Sequence, residues 1–108
     1  MNKLRVGICG WGNVATGLFK TLQTNSVEIK KRSNLEIEII AIGARRDNPK
    51  CDPGNVIIER DIFNIIDHDI DVIVELIGGV DVARDLILKA LNAKKHVVTA
   101  NKAVIFNH

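Results

Sequence analysis

Val6-Gly-Ile-Cys-Gly-Trp-Gly-Asn-Val-Ala-Thr-Gly17 is the stretch on which the reading of this 108-residue chain turns. The apolar residues Leu4, Val6, Ile8 and Cys9 predict a buried strand, and the glycines that follow without a gap predict a tight turn into a helix. In the pattern Gly10-x-Gly12-x-x-Ala15, Gly10 allows the turn, Gly12 lets the backbone approach a pyrophosphate, and Ala15 lets the helix pack close to the strand. Phosphates would then meet free backbone N–H groups at the positive end of the helix dipole. Val14, Leu18 and Leu22 mark the helical repeat, and Gly17 extends its small-residue face. Trp11, the one tryptophan, reads equally as a packing residue or a ligand contact.

Composition narrows the possibilities. A chain of this size buries about two-thirds of the surface that its unfolded form exposes, and 46% hydrophobic residues suit a single globular domain. Fifteen Lys and Arg against 13 Asp and Glu leave the charge almost balanced, so a nucleic-acid partner is not expected. No apolar run approaches a membrane span and no secretory signal opens the chain; a cytoplasmic protein without a membrane partner is the expectation. Cys9 reads as a small buried apolar residue and Cys51 as an inert loop cysteine. Neither makes a metal spacing with the three histidines, so no metal site is expected.

Beyond the first helix, which should end near Thr24, Ser26 to Asn34 is polar and basic, a helical extension or an exposed loop. Leu35 to Ile42 reads as a second strand ending at Gly43-Ala44-Arg45-Arg46-Asp47. An NAD-selective domain places an acidic residue at that ending to accept from the adenine ribose hydroxyls. Arg45 or Arg46 stands there instead, and a guanidinium suits a 2′-phosphate, so NADP is the preferred cofactor with NAD possible. Lys50, in the loop Asn48 to Gly54, could join that site.

Val56 to Ile58 is a short third strand, and Asp61 caps a short helix carrying Ile62, Ile65 and Ile66. Asp71 to Ile77 is a fourth strand running into Gly78-Gly79; its single charge, Glu75, must reach past the strand end or find a buried partner. A helix capped by Asp81, a fifth strand from His96 to Thr99, a turn at Ala100-Asn101-Lys102 and the start of a last helix at Ala103 complete the chain. Strands alternating with helices predict an α/β fold, a Rossmann-like doubly wound parallel sheet in the order 3-2-1-4-5 forming one domain over residues 1–108. Its crevice should gather Gly10 to Val14, Ile77 to Gly79 and Thr99 to Lys102.

Gly10-Trp11-Gly12-Asn13-Val14, Ala44-Arg45-Arg46-Asp47, Val74-Glu75-Leu76-Ile77-Gly78-Gly79 and His96-Val97-Val98-Thr99-Ala100-Asn101-Lys102-Ala103 together resemble the N-terminal nucleotide-binding domain of homoserine dehydrogenase. The resemblance covers essentially the whole chain, and its last two segments are far more specific than the glycine loop. It implies an NAD(P)-dependent oxidoreductase interconverting L-homoserine and L-aspartate 4-semialdehyde, a step toward threonine and methionine.

The resemblance also implies roles. The backbone of Gly12, Asn13 and Val14 would hold the pyrophosphate, Arg45 the 2′-phosphate, and Gly78, Gly79, Thr99 and Asn101 the nicotinamide side. Gly10, Trp11, Arg46, Ile77 and Ala100 complete the expected cofactor contacts. Lys102 would be one of the family's two active-site lysines, beside the oxygen that gains or loses a proton; on residue type alone it could equally cap the turn.

Ala15 departs from a glycine common in the family. The family's substrate and dimerisation domain has no counterpart in the sequence, so the chain reads as an isolated domain or a truncated product that binds nicotinamide dinucleotide without turning over homoserine or the semialdehyde. Homodimer formation is possible. The alternatives are a stand-alone NAD(P)-sensing module and a domain of another small-molecule dehydrogenase.

Overall fold

The structure, a computed structural model, describes residues 2–78 and 81–99. Five parallel strands form one sheet in the order β3-β2-β1-β4-β5, as expected. They are β1 (Asn2–Cys9), β2 (Leu35–Gly43), β3 (Ile57–Glu59), β4 (Val72–Glu75) and β5 (His96–Thr99). Helices α1 (Asn13–Thr24) and α2 (Ser26–Ser33) lie between β1 and β2, a 3-10 helix (Ile62–Asp67) between β3 and β4, and α3 (Asp81–Asn92) between β4 and β5.

Side chains alternate across the sheet, so β1, β2 and β4 each supply two cores. Val6, Ile8 and Ile42 pack with Ala15 and Phe19 of α1 and with Ala44 and Cys51 on one face. Cys9, Ala41 and Ile73 pack with Ile65 and Ile66 of the 3-10 helix and Leu86 and Ala90 of α3 on the other. Cys51, expected in a loop, is in a loop but also buried, because that loop folds over the α1 face.

Several boundaries and faces differ from the sequence-based expectations. Val14 is 67% exposed, and the buried arc of α1 runs through Ala15, Thr16 and Phe19 instead. The glycine turn sets that rotation, leaving Gly17 outward with nothing near the position of an added Cβ. Of the two alternatives for Ser26 to Asn34 the helical one holds: Ser26 to Ser33 is a helix, closed by Asn34 in the left-handed conformation at φ 54°. β4 is shorter than expected because the Ile77 N–H leaves the sheet to donate to the Glu75 carboxylate at 2.6 Å. Asp61 does cap the 3-10 helix, accepting from the Phe63 N–H at 3.1 Å, whereas Asp81 lies within the first turn of α3 rather than before it. The expected last helix falls outside the described residues.

Gly10 makes the closest approach to backbone among the described glycines. Its φ is +108°, and a Cβ there would stand 2.7 Å from the Leu76 carbonyl oxygen. Gly12 is the opposite case, at φ −88° with nothing within 4 Å of an added Cβ. Gly10→Ala should therefore lower stability by at least about 1–3 kcal/mol from backbone strain alone, while Gly12→Ala should stay within about 0.5 kcal/mol of wild type. Urea denaturation of both variants checks this; equal midpoints would contradict it.

Candidate functional site

All five strands stop at one level. Register pairs Glu59 with Gly43, Gly43 with Cys9, Cys9 with Glu75 and Glu75 with Thr99, a continuous row across the sheet. Ladder hydrogen bonds run one residue past it: Gly10 N–H to Gly43 O at 2.8 Å, Leu76 N–H to Cys9 O at 2.8 Å, and Ala44 N–H to Glu59 O at 2.9 Å. The chain then peels away in different directions on either side of β1, which opens a crevice at the point where strand order reverses.

A groove of about 600 Å³ occupies that crevice, within the range of ligand sites. Its floor and walls come from Gly10, Trp11 and Gly12 after β1, Gly43 and Arg45 to Pro49 after β2, Ile62 of the 3-10 helix, and Leu76, Ile77 and Gly78 after β4. α1 begins at its edge. Gly12 supplies no side-chain cap, the first turn carries no acidic residue, and the first backbone bond is Thr16 N–H to Gly12 O at 2.9 Å. Amides of the first turn thus point out of the helix front, where an anion would be stabilised.

The loop after β2 is held from several directions. The Asn48 amide donates to the Trp11 carbonyl at 3.1 Å, tying this loop to the glycine turn. Trp11 also packs edge-on against Phe19 at 5.4 Å, so it is a core contact and a groove wall at once. Arg60 donates to the Ala44 carbonyl at 3.2 Å and pairs with Asp47. Arg45 and Arg46 are exposed and form no ion pair among the described residues.

Under the row, Glu75 is fully buried, and it does both things its sequence context allowed. Its carboxylate reaches past the strand end to the Ile77 N–H, and it accepts from the Thr99 hydroxyl at 2.6 Å. One buried carboxyl group thus clamps the exit of β4 to the tip of β5. Cys9 beside it is also fully buried, and burial together with the Glu75 charge pushes its thiol pKa up to about 12, so it is no nucleophile near neutral pH.

Of the expected contacts, Gly10, Trp11, Gly12, Arg45, Arg46, Ile77 and Gly78 line the groove. Asn13 and Val14 sit exposed at the front of α1 beside it, outside its lining. Thr99 lies one strand beyond β4, outside the lining, with its hydroxyl turned to Glu75. Lys50 is exposed and is not among the residues that line the groove. Gly79, Ala100, Asn101 and Lys102 lie outside the described residues. Gly43, Asp47, Asn48, Pro49, Ile62 and Leu76 were not expected. Asp47 and Asn48 could have been inferred from their place directly after the arginines, but nothing in the periodicity marks Ile62 as a groove residue.

A doubly wound parallel sheet with a glycine turn leading into an uncapped helix over its switch point defines a dinucleotide-binding domain. Comparison with known proteins makes the class specific: the chain belongs to the homoserine dehydrogenase family, matching the model "Homoserine dehydrogenase, NAD binding domain" over residues 10–108. A homoserine dehydrogenase of Pseudomonas aeruginosa is 51% identical over 100% of this chain and 25% of its own length, and one of Bacillus subtilis is 31% identical over 94% of this chain and 24% of its own. The crystal structure of a homoserine dehydrogenase from Thiobacillus denitrificans superposes with a TM-score of 0.88 at 35% identity, covering 98% of this chain and 25% of that one. The chain therefore spans about a quarter of the length of the relatives it matches.

Two outcomes follow from the buried row. Thr99→Val should cost about 1–3 kcal/mol by stranding a buried Glu75 oxygen, read as a fall in the urea midpoint; no change would show the clamp to be dispensable. In the folded protein at pH 8.5, Cys9 should resist alkylation by iodoacetamide and react only after denaturation, and rapid native labelling detected by mass spectrometry would contradict its burial and raised pKa.

Proposed function

We propose that the groove holds a nicotinamide dinucleotide, with NADP preferred, and that the chain is the cofactor half of an oxidoreductase interconverting L-homoserine and L-aspartate 4-semialdehyde on the way to threonine and methionine. The observation that carries the cofactor reading is the uncapped front of α1 opening on the same groove as Arg45 and Arg46. When bound, the cofactor supplies hydride transfer. First-turn amides of Asn13 and Val14, approached over the bare backbone of Gly12, hold the diphosphate. Arg45, with Arg46, meets the 2′-phosphate through charge-assisted hydrogen bonds. Ile77 and Gly78 flank the nicotinamide side, and Glu75 keeps that exit loop in place through the Ile77 N–H.

Lys102, outside the described residues, is assigned by family resemblance to the reacting oxygen, where an ammonium stabilises developing negative charge and relays a proton. Gly79, Thr99, Ala100 and Asn101 are assigned to the nicotinamide side on the same ground. Because the chain spans a quarter of its relatives' length, we expect residues 1–108 to bind the cofactor without turning over homoserine. The near-balanced charge favours no nucleic acid, and among the described residues no helix is long and apolar enough to cross a membrane. A cytoplasmic setting and a possible homodimer belong to the same reading.

Isothermal titration of the chain with NADPH and with NADH tests it. NADPH should bind more tightly, and Arg45→Ala should weaken NADPH by about tenfold or more while leaving NADH nearly unchanged. Equal affinities before and after the substitution would remove the NADP preference; homoserine oxidation by the chain alone would remove the claim that it is only the cofactor half.

A further inference from the structure

We propose that the Asp47–Arg60 ion pair governs how the groove discriminates between a phosphorylated and an unphosphorylated adenine ribose, with Arg60 acting through Asp47 as a positioning residue. This rests on the dinucleotide reading above. Asp47 is the one carboxylate among the described residues that line the groove, and it follows β2 within four residues of Gly43. A carboxylate in this region is the group that accepts from ribose hydroxyls and repels a 2′-phosphate. Left alone it would oppose Arg45 and Arg46 on the same lip.

The fold sends Arg60 to meet it. β3 ends at Glu59, whose carbonyl accepts from the Ala44 N–H at 2.9 Å, so the next residue emerges beside the exit of β2. Arg60 fixes its guanidinium on the Ala44 carbonyl through one nitrogen and engages the Asp47 carboxylate through another. Arg60 itself is not part of the groove lining. The pair neutralises the lip's one acid and leaves the charge of the two arginines facing the ligand. With side chains 52% and 85% exposed, the pair adds little to folding stability, and its substitution tests charge placement rather than folding.

Arg60→Gln frees Asp47. The ratio of NADPH to NADH affinity, measured by titration calorimetry on the purified chain, should fall about tenfold, through weaker NADPH binding and equal or tighter NADH binding. The double variant Asp47→Asn with Arg60→Gln, which removes the carboxylate as well, should restore the ratio to within about threefold of wild type. A ratio unmoved by Arg60→Gln overturns the proposal. A drop that Asp47→Asn does not relieve also overturns it, assigning Arg60 a direct contact with phosphate. Equal losses for both nucleotides would reduce Arg60 to a loop anchor and overturn it too. The wild-type ratio reports separately on the 2′-phosphate reading, since the effect of the pair is read as a change in that ratio whatever its starting value. Failure of the wild-type chain to bind either nucleotide would sink both.

Discussion

Everything at the upper edge of this molecule depends on one close approach of backbone to backbone. Gly10 turns the chain out of β1 at φ +108°, where an added Cβ would stand 2.7 Å from the Leu76 carbonyl oxygen. Because the turn is that tight, α1 starts directly over the strand end, and the β1 and β4 exits run side by side before separating. The level row from Glu59 to Thr99 makes the turn effective, since the exit loops of β1 to β4 rise from the same height. A sheet with staggered ends would scatter these loops.

The cost of such an edge is a concentration of polar groups at the end of an apolar core, and the structure meets it with specific pairings. Glu75, fully buried, is satisfied by the Ile77 N–H and the Thr99 hydroxyl. No buried side-chain nitrogen or oxygen is left without a partner among the described residues. At the opposite edge, Asp71 accepts from the Arg5 N–H at 2.9 Å, and Lys95 donates to the carbonyls of His68 and Ile70 at 3.1 and 2.8 Å. The lower edge is thus closed by side chains, whereas the upper one leaves the α1 front open. In the proposed reading, that asymmetry is what separates a scaffold end from a binding end.

Much of this was legible in the residues. The continuous apolar runs of β1 and β4 and the glycine turn between β1 and α1 specify a parallel sheet with its crevice beside β1, because each signal is local and strong. The rotation of α1 was only partly legible: of Val14, Leu18 and Leu22, Leu18 packs against the core while Val14 is exposed, and the arc turned most fully to the sheet is Ala15, Thr16 and Phe19. The second wall of the groove was only half visible. Arg45 and Arg46 could be placed from the end of β2, but Asn48 reaches Trp11, and Arg60 reaches Asp47, across sequence distances that no local pattern encodes. Ile62 enters the groove as the first residue of the 3-10 helix, its side chain over Gly43, where an added Cβ would meet it at 3.2 Å.

The central claim is that the front of α1 and the strand row beneath it form a nucleotide site. Amide chemical shifts of the isotopically labelled chain, followed through an NADPH titration, address it most directly. The largest movements should fall on the N–H groups of Gly10, Gly12, Asn13 and Val14, with smaller ones at Arg45 to Asn48 and Ile77 to Gly78, and the lower edge around Arg5 and Asp71 should stay still. Shifts concentrated anywhere else, or none at saturating ligand, would contradict it.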